Sequence, residues 1–60
     1  MVDLKTRIMA LAYETNNNLK YAPMTIAYLE RVILKNKNKL HMVEQVQEII
    51  NDLREKTYVV

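Results

Sequence analysis

The sequence contains no cysteine, glycine, serine, tryptophan or phenylalanine, and only one proline, Pro23, and one histidine, His41. Without cysteine no disulfide can staple the chain, and a single histidine with no thiolate cannot complete a zinc-ligand set. Without glycine, tight hairpin turns lose their usual residue, which argues against a β-sandwich or barrel and for helices joined by polar connections. The same absence removes the glycine-rich loops that cradle phosphates. Serine and cysteine are the commonest catalytic nucleophiles, and both are missing. No catalytic residue, metal site or cofactor is therefore expected, and the chain reads as a binding protein and not an enzyme. No stretch approaches the roughly 20 apolar residues of a membrane span. The opening Met1-Val2-Asp3-Leu4-Lys5 carries no secretory h-region, so a cytoplasmic location is expected.

Within its 60 residues half are hydrophobic, drawn from Leu, Ile, Val, Met, Ala and Tyr. A chain this short buries only about 60% of the surface its unfolded form exposes. With staples excluded, stability must come from good helix packing or from association, and a homodimer or a protein partner is expected. The net charge of +2 permits contact with nucleic acid but is far from the footprint of a dedicated DNA binder.

Hydrophobic periodicity places three helices in one domain spanning 1–60. Leu4, Ile8, Leu11 and Ala12 draw one apolar stripe over about 3–15, with Asp3 as N-cap. Asn16, Asn17 and Asn18 compete with the backbone and stop it, leaving Leu19 to Ala22 as a loop. Pro23 opens a second helix over about 24–35, because a proline in the first turn gives up only an N–H that would be unpaired there. Ile26, Leu29, Val32 and Ile33 mark its buried face. A polar, basic break at 35–39 separates it from a third helix over about 40–56. There Val43, Val46, Ile50 and Leu53 follow a 3-4-3 spacing and Ile49 widens the stripe, while Thr57 to Val60 reads as a frayed tail. The expected fold class is all-α, a small three-helix domain.

Glu44, Glu48 and Asp52 recur every four residues, which reads as a solvated helix face before it reads as a metal face. His41 reads as a surface histidine at a helix start. Three features remain that could carry binding. The first is a basic cluster, Arg31, Lys35, Lys37 and Lys39 beside His41. Such residues give sequence-independent contact with phosphate oxygens, or simply solvate a loop and offset the second helix's C-terminal dipole. The second is the apolar stripe of the third helix, which in so short a chain is divided between core and an intermolecular interface. The third is the set of tyrosines Tyr13, Tyr21, Tyr28 and Tyr58, suited to an interface or to the core's edge. Helices two and three also meet the outline of a helix-turn-helix. Its turn lacks glycine, however, and Glu44, Glu48 and Asp52 would face phosphates from the recognition helix.

Residues Thr25 to Leu40 read TIAYLERVILKNKNKL. This segment resembles the second-helix region of the Hha/YmoA family, small bacterial modulators of gene expression, with the pattern T-I-x-x-L-E-R-V-I-x-K-N-K-x-x-L. A looser T-x-x-x-L-E echo is similar to the oligomerisation region of the nucleoid protein H-NS, which Hha binds. The resemblance covers about a quarter of the chain. The connection at 16–23 is longer than the family's, and its A-A-D-H-R-x-A-E-L segment is absent after Leu40, so its H-NS-docking residues are not carried over. The resemblance implies regulation through protein contacts and a nucleoid or transcription factor as partner.

The expected function is thus that of a small regulatory protein acting by protein–protein interaction. Leu29, Val32, Ile33, Val43, Val46, Ile50 and Leu53 would supply its apolar interface. Arg31, Lys35, Lys37 and Lys39 would add weak nucleic-acid contact. A direct DNA-binding helix-turn-helix protein and a small structural subunit of a larger assembly stand as the alternatives.

Overall fold

A computed structural model describes residues 3–58, which form α1 (Leu4–Asn17), a 3-10 turn (Leu19–Tyr21), α2 (Ala22–Lys35) and α3 (Leu40–Tyr58), with no strand among them. The chain is an all-α three-helix domain. No helix among the described residues is long and apolar enough to cross a membrane.

Asp3 caps α1 from an extended conformation, its Oδ1 accepting from the Thr6 N–H at 2.8 Å. Side-chain and backbone hydrogen bonding from Thr6 outweighs a slight desolvation and, with Lys5 nearby, holds the carboxyl below the ordinary aspartate range. A lowered folded value means that the ionised cap favours the folded state. Its contribution is complete above the unfolded value of about 3.9 and is lost as pH falls through the lower folded value. The thermal midpoint of Asp3→Asn should therefore fall less than that of the wild type on acidification from about pH 5 to about pH 2. Parallel curves for the two proteins would refute this.

The asparagine run ends α1 as its chemistry demands, two residues later than the periodicity placed the end. Asn16 donates its side-chain amide to the Ala12 carbonyl at 3.0 Å. Asn18 leaves the helix, gives its N–H to Glu14 and Thr15, and accepts from the Lys20 N–H with its side chain. The stretch expected as loop is a single 3-10 turn that feeds directly into α2, so α2 begins at Ala22, two residues before the expected Met24. Pro23 lies in its first turn, where the missing N–H costs nothing.

Asn36 closes α2 with the same backbone pattern as Asn18 at the end of α1, and with the side-chain bond that Asn16 makes there. Its N–H reaches the Val32 and Ile33 carbonyls, and its side-chain amide donates to Val32 at 2.8 Å. The Lys39 N–H then bonds the Asn36 carbonyl, and the chain reverses with no positive φ among the described residues. Glycine is not needed because no residue of the reversal takes the left-handed conformation that favours it. At the far end Thr57 stays helical by donating to the Leu53 and Arg54 carbonyls, so α3 outlasts the expected boundary at 56. Val59 and Val60, the rest of the expected tail, lie outside the described residues.

The core is one cluster: Ile8 from α1, Leu29 and Val32 from α2, Val46, Ile50 and Leu53 from α3. Leu4, Ile26, Ile33, Met42 and Ile49 pack around it. The short turn makes α2 and α3 an antiparallel pair, and Arg54 reaches across to Glu30 at 3.0 Å. Both partners are about half exposed, so the pair contributes little. Apolar burial, and not charge, holds the helices together.

Candidate interaction surface

Five of the seven residues expected to form an apolar interface point into the chain's own core. Leu29, Val46, Ile50 and Leu53 have essentially no exposed surface and Val32 is buried; Ile33 and Val43 are half-buried. The 3-4 spacing identifies which side of a helix is apolar but not what covers it. Here the three helices cover one another, and those five side chains offer no surface to a partner while the chain is folded.

The four cations of the expected phosphate-contacting set behave differently. Arg31, Lys35, Lys37 and Lys39 are all exposed around the end of α2 and the turn that follows. None of them joins the ion pairs found among the described residues, which are Arg54–Glu30 and Lys56–Asp52. His41 is exposed at the start of α3. Glu44, Glu48, Asp52 and Glu55 line the solvent side of α3, and Asp52 pairs with Lys56 at 3.0 Å. Among the described residues no three His, Cys, Asp or Glu side chains gather closely enough to hold a metal ion.

Exposed large apolar side chains occur on each helix, Met9 and Tyr13 on α1 and Leu40 on α3 among them, but three lie on α2: Met24, Tyr28 and Leu34. Its buried face runs Ala22, Thr25, Leu29 and Val32. A second stripe, Met24, Ala27, Tyr28, Arg31, Leu34 and Lys35, repeats at helical spacing on the opposite side, and every member is exposed. Met24 is 72% exposed and Leu34 63%, values of a side chain left in water by its own fold. Covering one such side chain completely is worth about 1.5–3 kcal/mol, so this stripe is where association would gain most.

A groove of about 540 Å³ adjoins this stripe between α1 and α2. Tyr21 of the 3-10 turn with Met24 and Tyr28 of α2 forms one wall, and Leu11 and Glu14 of α1 form the other. Its floor is the Thr15–Thr25 pair, whose hydroxyl oxygens lie 2.7 Å apart. Both threonines are buried, and Thr15 also donates to the Leu11 carbonyl at 2.8 Å. Since Thr15 has one proton, Thr25 must be the donor between them. A smaller cleft of about 170 Å³ separates α1 from α3, lined by Met9, Met42 and Ile49 among others.

Of the tyrosines singled out by sequence, Tyr21 and Tyr28 meet at the groove, whereas Tyr13 is 69% exposed and is not among its lining residues. The side chain of Tyr58 lies outside those described. Met24 and Leu34 were not anticipated. Their signal is present in the sequence, since α2 carries apolar residues on two faces.

Comparison of the chain with models of known protein families, with curated protein sequences and with solved structures finds no match.

Proposed function

We propose that this chain is a small cytoplasmic regulatory protein that acts by protein–protein contact through the exterior of α2 and the adjoining groove. The observation that carries this reading is the second stripe of α2, with Met24, Tyr28 and Leu34 exposed on one helix face. The outer side of α3 supplies the contrast: it is solvated by four carboxylates, with Leu40 at its start as its one exposed large apolar side chain among the described residues. The resemblance of Thr25–Leu40 to the Hha/YmoA family supports a nucleoid or transcription factor as the protein regulated. In that reading Leu29 and Val32 of the shared pattern serve the fold, while Arg31, Lys35 and Lys37 face outward.

The exposed lysine turn, with no acid between Arg31 and Val43, supports a secondary role in contacting phosphates within such an assembly. A helix-turn-helix mode is disfavoured because α3 would present Glu44, Glu48 and Asp52 to the DNA backbone.

In vivo cross-linking of the tagged chain in a bacterial host tests the proposal. A defined DNA-associated regulatory protein should be captured, nuclease treatment should leave the capture intact, and Tyr28→Ser with Leu34→Ser should abolish it while helicity is kept. Capture of nucleic acid alone, lost on nuclease treatment, would instead support direct DNA binding.

A further inference from the structure

Charge on the chain is segregated: four of its nine bases and none of its seven acids fall between Arg31 and Val43. On the exterior of α2 this gives Met24, Ala27, Tyr28 and Leu34 the company of Arg31 and Lys35, all exposed. Glu30, the single acid within α2, is turned to the α3 side and held by Arg54 at 3.0 Å. Lys20 adds a further exposed cation just before Tyr21. Glu14, on the α1 wall of the adjoining groove, is a second carboxylate beside this surface.

We infer that the exterior of α2 docks an acidic amphipathic helix of a different protein, its apolar side chains seated on Met24, Tyr28 and Leu34 and the carboxylates beside them on Arg31 and Lys35, which lie between those three on the helix surface. This rests on the protein-contact reading above and names the chemistry of the partner. A second copy of this chain is a poor occupant. A two-fold pairing lays the same patch on itself, which brings Arg31 and Lys35 of one copy toward a surface that is also cationic. The acidic face of a second copy, on α3, offers carboxylates but no apolar stripe to cover Met24 and Leu34. Nucleic acid matches the cations but leaves Met24 and Leu34 without a partner, since a phosphate backbone offers nothing apolar to bury. An acidic amphipathic helix satisfies both halves of the surface at once.

The test uses two synthetic peptides of about 18 residues, long enough to sustain a helix, with the same leucine stripe. One is flanked by glutamates and the other by lysines. Titrated into the full chain and followed by NMR, the glutamate peptide should bind at least about tenfold more tightly at low salt and shift Met24, Tyr28 and Leu34. The gap should narrow as salt screens it. Arg31→Glu with Lys35→Glu, both at exposed positions, should reverse the preference with helicity unchanged. Equal affinity, or a preference for the lysine peptide, on that same face would overturn the acidic partner while leaving protein contact standing. Failure of both peptides would overturn the inference. Failure of both peptides combined with binding of a DNA duplex or of phosphatidylglycerol vesicles through α2, or with self-association through α2, would overturn the inference and remove the regulatory-partner reading with it.

Discussion

Leu53→Ala should remove about 2–5 kcal/mol, a large share of the stability of this chain. Leu53 has no exposed surface and sits in the six-residue core cluster. Leucine-to-alanine truncation at such a site costs about 2–5 kcal/mol, the removed methyl groups and the cavity both contributing. A domain of this length holds a total of roughly 3–9 kcal/mol at the usual stability per residue. One truncation therefore removes a large share of the margin. Leu34→Ala is the control: at 63% exposure it should change stability by no more than about 0.5 kcal/mol. Urea denaturation followed by circular dichroism measures both. The loss at Leu53 should be the same over about a hundredfold range of protein concentration, because the side chain is covered by its own chain and not by a partner. A cost below about 1 kcal/mol, or one that grows on dilution, would return the α3 stripe to an intermolecular interface.

Thr15→Val should cost about 1–3 kcal/mol, more than Thr25→Val at the same hydroxyl pair. The two side chains are matched in burial, so the difference follows from the direction of the bonds. With Thr15 replaced, the Thr25 proton loses its acceptor in a buried place and bears the desolvation cost in full. With Thr25 replaced, Thr15 still donates to the Leu11 carbonyl, and only one bond of about 0.5–1.5 kcal/mol is given up. Replacing both removes donor and acceptor together, so the double variant should be less destabilised than the two single costs added. A double-mutant cycle under denaturant reads this as a coupling of about 0.5–3 kcal/mol. A larger loss at Thr25 would show that the bond runs the other way, and additive costs that the two hydroxyls do not interact. The pair also floors the α1–α2 groove, so the double variant changes the polarity of that surface without altering its shape.

Much of the fold was legible because its signals are local. Asp3, the asparagines at 16–18 and Pro23 each act on backbone groups within four residues, and each does in the structure what its chemistry implies. The structure departs from the periodicity only at helix ends. Ala22 joins α2 because the 3-10 turn at Leu19–Tyr21 delivers the chain already in helical geometry. Thr57 joins α3 because its hydroxyl can bond the Leu53 carbonyl, which a propensity for extended structure does not count.

The binding surface was only half legible. The exposed cations Arg31, Lys35, Lys37 and Lys39 could be read off directly, since a run without acids has no local partner to pair with. The pairing of Thr15 with Thr25 could not, because it joins two helices ten residues apart and neither residue is unusual in its own helix.

By itself the sequence determined the class, the number of helices and which side of each is apolar, because periodicity and capping depend on residues one turn apart. Only the tertiary structure decided which apolar side is enclosed. The stripe of α3 that looked most like an interface is closed over by α1 and α2, since three short helices can bury one shared cluster. Once α2 has turned Leu29 and Val32 inward, its opposite stripe at Met24, Tyr28 and Leu34 has no helix left among the described residues to cover it.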